Sequence, residues 1–364
     1  MEKFYAAIFG AGIAGTAIAN ELANRNKKVL LIDPNVSETA PGPPAALVNP
    51  ATGRRAKMSW NVHLCLPALR DLITELQDFA EDTPIISDTG AIRPAINEKL
   101  AENFRESLEK YDWPKGWIRW MEKDDVMAFN PNIAPNHGAL FLDVGFTVLV
   151  DNYQNIFRQY LRDKGVDCRY ETAQYHHHKK DDGFTIQFGE GTEAEAEHVI
   201  IAAGHQTPFF EDWEYLPLHR VKGQIVHFEA DQDLEWEHAT SAMGYSLRRG
   251  KRDLIVGSTY EHKFEDLSTS EKAFVQIKGK LEKMYPGLVD KVHKKNQMAG
   301  VRVTTPNKLP VIGRHPEHKN LCIYTAMGSK GLLFSQYVGS LLAEHLVGGA
   351  AIPEELDTKR FDGD

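Results

Sequence analysis

Apolar residues gather in short runs near both ends and in the middle of the chain. Tyr5 to Phe9, Val29 to Ile32 and Leu321 to Tyr324 read as strands. His198 to Gly204 reads as a buried parallel strand ending on a glycine, with its carboxyl end open to a ligand. Helical spacing runs from about Val62 to Phe79, where Leu66, Leu69, Leu72, Ile73 and Leu76 share a face. Phe274, Ile277, Leu281 and Met284 mark another helix face, and Ser268 to Glu271 fits a capping box ahead of it. Asp151 can cap a helix running to about Asp163 that Gly165 ends, and Val166 to Tyr170 is strand-like.

Elsewhere the pattern predicts strand over 85–95, a short charged helix over 98–110 and mostly strand over 219–260. In that last stretch Gln224 to Phe228, Tyr245 to Arg248 and Leu254 to Val256 stand out, the last two around a turn at Arg249 to Arg252. Met298 to Val303 is a further strand. Prolines among Trp113, Trp117 and Trp120 predict an irregular, packed loop over 111–136. A final helix extends through Leu346. The expected fold class is α/β, α+β overall: a Rossmann-like nucleotide-binding domain with an interleaved substrate domain built on a mixed or antiparallel sheet. The first takes residues 1–82, 146–216 and 297–364, the second 83–145 and 217–296.

The amino-terminal pieces make a strand–helix–strand unit around Gly10-x-Gly12-x-x-Gly15, ending on Asp33. Gly10 permits a tight turn, Gly12 leaves room for a pyrophosphate, and Gly15 lets the helix pack close to the strand. The helix start, with Ile13 and Ala14, turns unpaired N–H groups and a partial positive charge toward phosphates. Asp33 can accept from a ribose diol, with Pro34 beside it. This unit suits a nicotinamide or a flavin dinucleotide. Three features favour flavin. The nucleotide fold is split into three pieces. The segment after Asp33 is long and turn-rich, with Pro41-Gly42-Pro43-Pro44 delaying regular structure until Ala45 and Ala46. Gly328-Ser329-Lys330-Gly331 opens a helix at Leu332 whose positive end suits a reduced flavin ring.

Composition narrows the function classes. The 364 residues carry 42% hydrophobic and 26% charged residues, ordinary for a soluble enzyme. A net charge of −9 argues against a general nucleic-acid binder. Cys65, Cys168 and Cys322 are odd in number and widely spaced, which fits a reducing cytoplasm and neither a disulfide framework nor a zinc site. Lys3 and the run after it imitate a signal sequence, but the same residues supply the first strand. No run of about 18 apolar residues predicts a membrane span. His176-His177-His178 invites a metal, yet adjacent histidines cannot converge on one ion; a surface loop and no metal are expected. Arg54-Arg55-Ala56-Lys57 reads as a solvated basic turn.

Further segments carry a resemblance. Gly257 to Glu261, Ala299 to Pro306, Leu309 to Gly313, Gly328 to Gly331, Val221 to Gln224 and the Ala202-Ala203-Gly204 strand end occur in an order that resembles the D-amino-acid oxidase superfamily of FAD enzymes. Glycine and sarcosine oxidases are familiar members. Ala45 to Pro50 and the Gly328 loop are similar to the oxidase domain of the bifunctional enzyme that matures the wobble uridine of tRNA, whose methyltransferase domain is expected to have no counterpart here. The chain departs from the family pattern at Pro41 to Pro44 and at Val303.

The resemblance implies non-covalent FAD, held by the glycine turn, Asp33, Pro34, Ala45, Ala46, Ala203, Gly204, Arg302 and residues 328–332. It implies a small carboxylate-bearing amine as substrate, with Arg302 and Tyr245 on the carboxylate. Lys330, between two glycines, is placed where a cation influences flavin reduction or oxygen activation. A guanidinium fork matches a carboxylate with two parallel hydrogen bonds. A structural salt bridge for Arg302, sheet packing for Tyr245 and a solvated lysine for Lys330 stand as the alternatives. The expected reaction is oxidation of a C–N bond by hydride transfer to flavin N5. The same chemistry on a carboxymethylaminomethyl-uridine of tRNA, an FAD dehydrogenase of a hydroxy acid, and a non-enzymatic nucleotide-binding module remain open.

Overall fold

The structure, a computed structural model, describes residues 1–34, 42–178, 183–189 and 191–361. Strands without polar alternation need cover on both faces, and these have it. Glu2–Phe9 lies between Val29–Ile32 and Glu193–Ile201, parallel to both. Asp167–Arg169 continues the row past Val29–Ile32, and Leu321–Thr325 joins Glu193–Ile201 from the far side. Phe9 pairs with both Ile32 and Ile201, and Ile201 with Ile323. The parallel strands therefore end near one line, and Gly10, Asp33 and Ala202 leave from the same edge. Antiparallel Phe184–Phe188, Ala173–His177 and Val311–Arg314 complete the sheet.

Alternation over the second half of Glu2–Phe9 sends Ala6 and Ile8 to one face and Ala7 and Phe9 to the other. Helices Ile13–Asn24, Val62–Phe79, Val150–Asp163 and Gly331–Gly348 cover the first face. Val62–Phe79 matches its predicted bounds and buries Leu66, Leu69, Leu72, Ile73 and Leu76. Truncating one such leucine to Ala costs about 2–5 kcal/mol.

The second sheet runs in the order Val292–Thr304, His219–Ala230, Asp253–Gly257, Tyr245–Arg248, Ala239–Ser241, Ala91–Pro94, Ala139–Leu142, Ile118–Met121. Only the Ala239–Ser241 pairing with Ala91–Pro94 is parallel, so the sheet is mixed. Helix Glu271–Met284 packs Ile277, Leu281 and Met284 against Val226, Leu254 and Val256 on one face. On the other face Ile225, Leu247 and Ile255 share a cluster with Ala45, Leu47 and Ala51 from the amino-terminal third. That contact seats the second sheet on a separate three-stranded sheet of Ala45–Val48, Phe146–Leu149 and Ile86–Ser87.

Four expectations need correcting. Residues 111–136 are not irregular: Ile118–Met121 pairs with Ala139–Leu142, and Lys123–Phe129 is a helix. His176 and His177 lie in strand Ala173–His177 rather than a loop, paired with Phe184–Phe188; Lys179 and Lys180 lie outside the described residues. Asp151 does not cap its helix; it occupies the first turn and pairs with Arg249 at 2.9 Å. Ser270, not Ser268, caps Glu271–Met284, because Ser268 bonds Asp266 instead. Pro41 lies outside the described residues. No helix among the described residues is long and apolar enough to cross a membrane.

Candidate active site

The glycine turn emerges where the parallel strands end. Gly10 has φ +110°, and a Cβ there would stand 2.4 Å from the Ala202 carbonyl oxygen. A Cβ on Gly15 would stand 1.7 Å from the Gly10 oxygen. These two glycines are required by the fold. Gly12 is different: a Cβ there meets nothing within 4 Å. Gly12 is the cap residue of Ile13–Asn24, and no side chain caps that helix. Its first N–H groups therefore have no side-chain cap at the positive end of the helix dipole.

Asp33 is buried at 6% exposure. Its Oδ2 accepts from the Ala11 N–H at 2.8 Å, while Oδ1 is buried with no partner. A buried acceptor without a donor is costly unless a ligand supplies one. Bare space at Gly12, an uncapped helix and a free carboxylate oxygen fit the pyrophosphate and ribose of a dinucleotide. Arg158, from Val150–Asp163, donates to the Ala11 carbonyl from Nε at 3.1 Å and Nη2 at 3.0 Å. It braces the turn from behind, and sequence reasoning missed it.

The remaining nucleotide-side candidates lie on several elements. Pro34 is exposed, and Ala203 and Gly204 follow the end of Glu193–Ile201, with Gly204 at φ +52°. Ala45 and Ala46 sit in strand Ala45–Val48, paired with Leu149 and Val148. Ala14 and Leu332 are buried, and Ser329 is exposed. Gly331 opens the last helix, also without a side-chain cap, and its Cβ position is 3.8 Å from Ile13 Cδ1. Two uncapped helix starts therefore adjoin. Lys330 is half-buried with Nζ 5.5 Å from the Phe334 ring centroid. Burial, then Lys308, pulls its pKa down, and it has no carboxylate partner among the described residues.

Sheet register builds a second group of residues. Arg302 pairs with Val221, so its side chain lies on the same face as Gly223. A Cβ on Gly223 would stand 2.4 Å from Arg302 Nη1, which shows how closely the guanidinium crosses that residue. Nη2 donates to Ser258 Oγ at 2.6 Å, and the Tyr260 ring lies 4.9 Å away. Nη1 is buried without a partner. No carboxylate forms an ion pair with Arg302 among the described residues, contrary to the salt-bridge alternative. Gly257 pairs with both Ile225 and Tyr245, and its Cβ position is 2.8 Å from the Tyr245 hydroxyl. Burial pushes the Tyr245 phenol up to about 12, with Arg302 opposing, so it is a neutral O–H donor at neutral pH. Lys280 donates to the Ser258 carbonyl at 2.5 Å; burial and then the Arg302 charge lower its pKa.

The two groups adjoin through Thr304, which ends the Arg302 strand. Its Oγ1 is 3.5 Å from the Gly328 Cβ position. Ser258 and Tyr260 belong to a segment whose sequence carried the family resemblance, yet nothing in it marked them as neighbours of Arg302. The His176 to His178 segment lies elsewhere, and no group of metal-ligating side chains suited to an ion exists among the described residues.

A family model described as FAD dependent oxidoreductase (DAO) matches residues 6–345. The chain is 23% identical over 369 residues to the tRNA 5-methylaminomethyl-2-thiouridine biosynthesis bifunctional protein MnmC of Thiobacillus denitrificans, across 98% of this chain and 58% of that protein. It therefore spans less than two thirds of that relative. It is 24% identical over 355 residues to glycine oxidase of Geobacillus kaustophilus, across 94% of this chain and 93% of that one. The crystal structure of that glycine oxidase superposes with a TM-score of 0.83 at 21% identity, over 99% and 98% of the two chains. Iminodiacetate oxidase from Chelativorans sp. BNC1 superposes at 0.77 with 20% identity, over 96% and 97%. The chain belongs to the DAO family of FAD-dependent oxidoreductases and is an enzyme of that class.

Proposed function

We propose that the protein oxidises the C–N bond of a small amine bearing a carboxylate, either a small amino acid or an N-substituted glycine. The observation that carries this reading is Arg302: a guanidinium with a buried, unpartnered Nη1, no carboxylate of its own, and the Tyr245 hydroxyl in the same cluster. Arg302 would bind the carboxylate through two N–H donors, and Tyr245 would add a neutral O–H. Ser258 orients the guanidinium, and Tyr260 covers it. Bound FAD, held non-covalently, would supply the hydride acceptor. Gly12, the helix start at Ile13 and Asp33 would hold its diphosphate and ribose, with Pro34, Ala45, Ala46, Ala203 and Gly204 alongside. Lys330 and the helix start at Gly331 would place positive charge at its other end.

In this reading the FAD-binding part comprises 1–82, 146–216 and 297–364, and 83–145 with 217–296 forms the substrate part. Three free thiols, two of them buried, support a reducing cytoplasm. The relatives named for tRNA thiouridine biosynthesis favour a second substrate, a carboxymethylamino group on a tRNA uridine, which presents the same N-substituted glycine. Anaerobic titration followed by flavin absorbance tests both. Bleaching by glycine, sarcosine or D-amino acids supports the small-amine reading. Bleaching only by modified tRNA supports the second. Bleaching by hydroxy acids alone, or by nothing in the series, overturns both.

A further inference from the structure

Arg220 stands one residue before Val221, the register partner of Arg302, and so projects from the opposite face of the sheet. Its guanidinium packs on two rings, 4.8 Å from the Phe209 centroid and 5.1 Å from that of Phe264. Nε is buried without a partner. Among the described residues the side chain makes no hydrogen bond and no ion pair. Nearby acids are engaged elsewhere. Lys222, two residues along the same face, is 5% exposed; it donates to the Ser268 carbonyl at 2.7 Å and has Glu261 and Asp266 within 4.0 Å. The Arg220 fork opens instead on a cavity of about 700 Å³, rimmed by His219, His262, Lys263, Phe264 and Glu265. Glu265 pairs with none of these bases.

Rings packed on a guanidinium leave it its in-plane donors, the geometry that grips two oxygens of one anion. One lysine and two histidines around that fork suit a group with more than one anionic oxygen. Phe209, 63% exposed and packed on Arg220, adds a ring on which a base can stack. We propose that this cavity is a phosphate-binding site, separate from the Arg302 cluster. The proposal is independent of amine oxidation, because it uses the other face of the sheet and its test reads binding alone.

The test uses flavin-loaded full-length protein at low salt. One arm titrates inorganic phosphate by calorimetry, and the other titrates a fluorescein-labelled single-stranded RNA ten-mer by anisotropy. Phosphate should bind with a millimolar or tighter Kd, and Arg220→Gln should weaken it at least tenfold. Arg220→Lys should recover little, since an ammonium lacks the fork. RNA binding at least tenfold tighter than phosphate, with the same loss in Arg220→Gln, identifies a nucleic-acid backbone as the source; equal binding identifies free phosphate. If Arg220→Gln does not fold, the double variant His262→Gln/Lys263→Gln carries the readout, with a loss of at least fivefold expected. Failure of both ligands to bind, or binding unchanged in a folded variant, overturns the proposal.

Discussion

Replacing Arg302 with Ala should abolish most of the preference for carboxylate substrates while leaving the flavin in place. The guanidinium keeps Nη1 unpartnered and spends only Nη2 on Ser258. A bound carboxylate would accept charge-assisted hydrogen bonds worth about 1.5–3 kcal/mol each. Losing the fork therefore removes about 3–4 kcal/mol from the transition state, or about 10²–10³-fold in kcat/KM. The cost in stability is smaller. One hydrogen bond is lost, at about 1 kcal/mol, and the buried unpaired nitrogen leaves with it. A melting point lowered by only about 1–2 °C follows for a chain of this size. The assay compares kcat/KM for sarcosine with that for an amine of similar size lacking the carboxylate, in both proteins, with flavin content read from absorbance. In the variant the two substrates should converge. A loss of under about threefold with sarcosine, at full flavin content, would refute the assignment of Arg302 to the carboxylate.

Gly12→Val should fold, since its Cβ position meets no protein atom within 4 Å, yet lose most of its FAD because the side chain fills the space left open; undiminished flavin content would place the diphosphate elsewhere. Gly10→Ala should instead fail to accumulate as folded protein, its Cβ colliding with the Ala202 carbonyl at φ +110°. Tyr245→Phe should weaken carboxylate binding by about 1 kcal/mol, roughly fivefold. Because burial raises the phenol to about 12, its O–H donor persists above the ordinary value near 10, so wild-type affinity should show no tyrosine-dependent fall as pH rises to 10; a Tyr245-dependent fall centred near 10 would contradict that environment. Arg158→Ala should release the Ala11 carbonyl and weaken FAD binding about tenfold, read as flavin loss on dilution.

The glycine turn was legible because its parts are local. Twenty-nine residues from Tyr5 to Asp33 contain the strand, the turn, the helix and the acid, and each has a backbone reason to be what it is. The Val62–Phe79 helix was legible for the same reason, its apolar spacing being a property of one segment. Ser258 was not legible beside Arg302, because their meeting depends on register across Val292–Thr304, His219–Ala230 and Asp253–Gly257. One residue of slip would send Arg302 to the other face. Arg158 was hidden by reach: it interrupts an apolar helix pattern as a charged residue, and only tertiary packing shows its fork on the Ala11 carbonyl. Ile118–Met121 was obscured by its composition, tryptophan and arginine next to proline-rich sequence, until pairing with Ala139–Leu142 supplied the missing partner.

The distribution of unpaired charge carries the functional argument further than any single residue. A chain with net charge −9 has acids to spare, yet Arg302 and Lys330 have none as partners among the described residues. Lys280 turns to a carbonyl rather than a carboxylate. Two helices bring uncapped, positive ends to the same region. Each of these costs free energy unless something answers it, because like charges repel and buried donors go unmet. On the proposed reading, their common remedy is an anionic group bound beside them. The proposed carboxylate at Arg302 and diphosphate at Gly12 would be two such groups. On that reading, the local destabilisation that they relieve is the physical reason for a preference for anions at these residues.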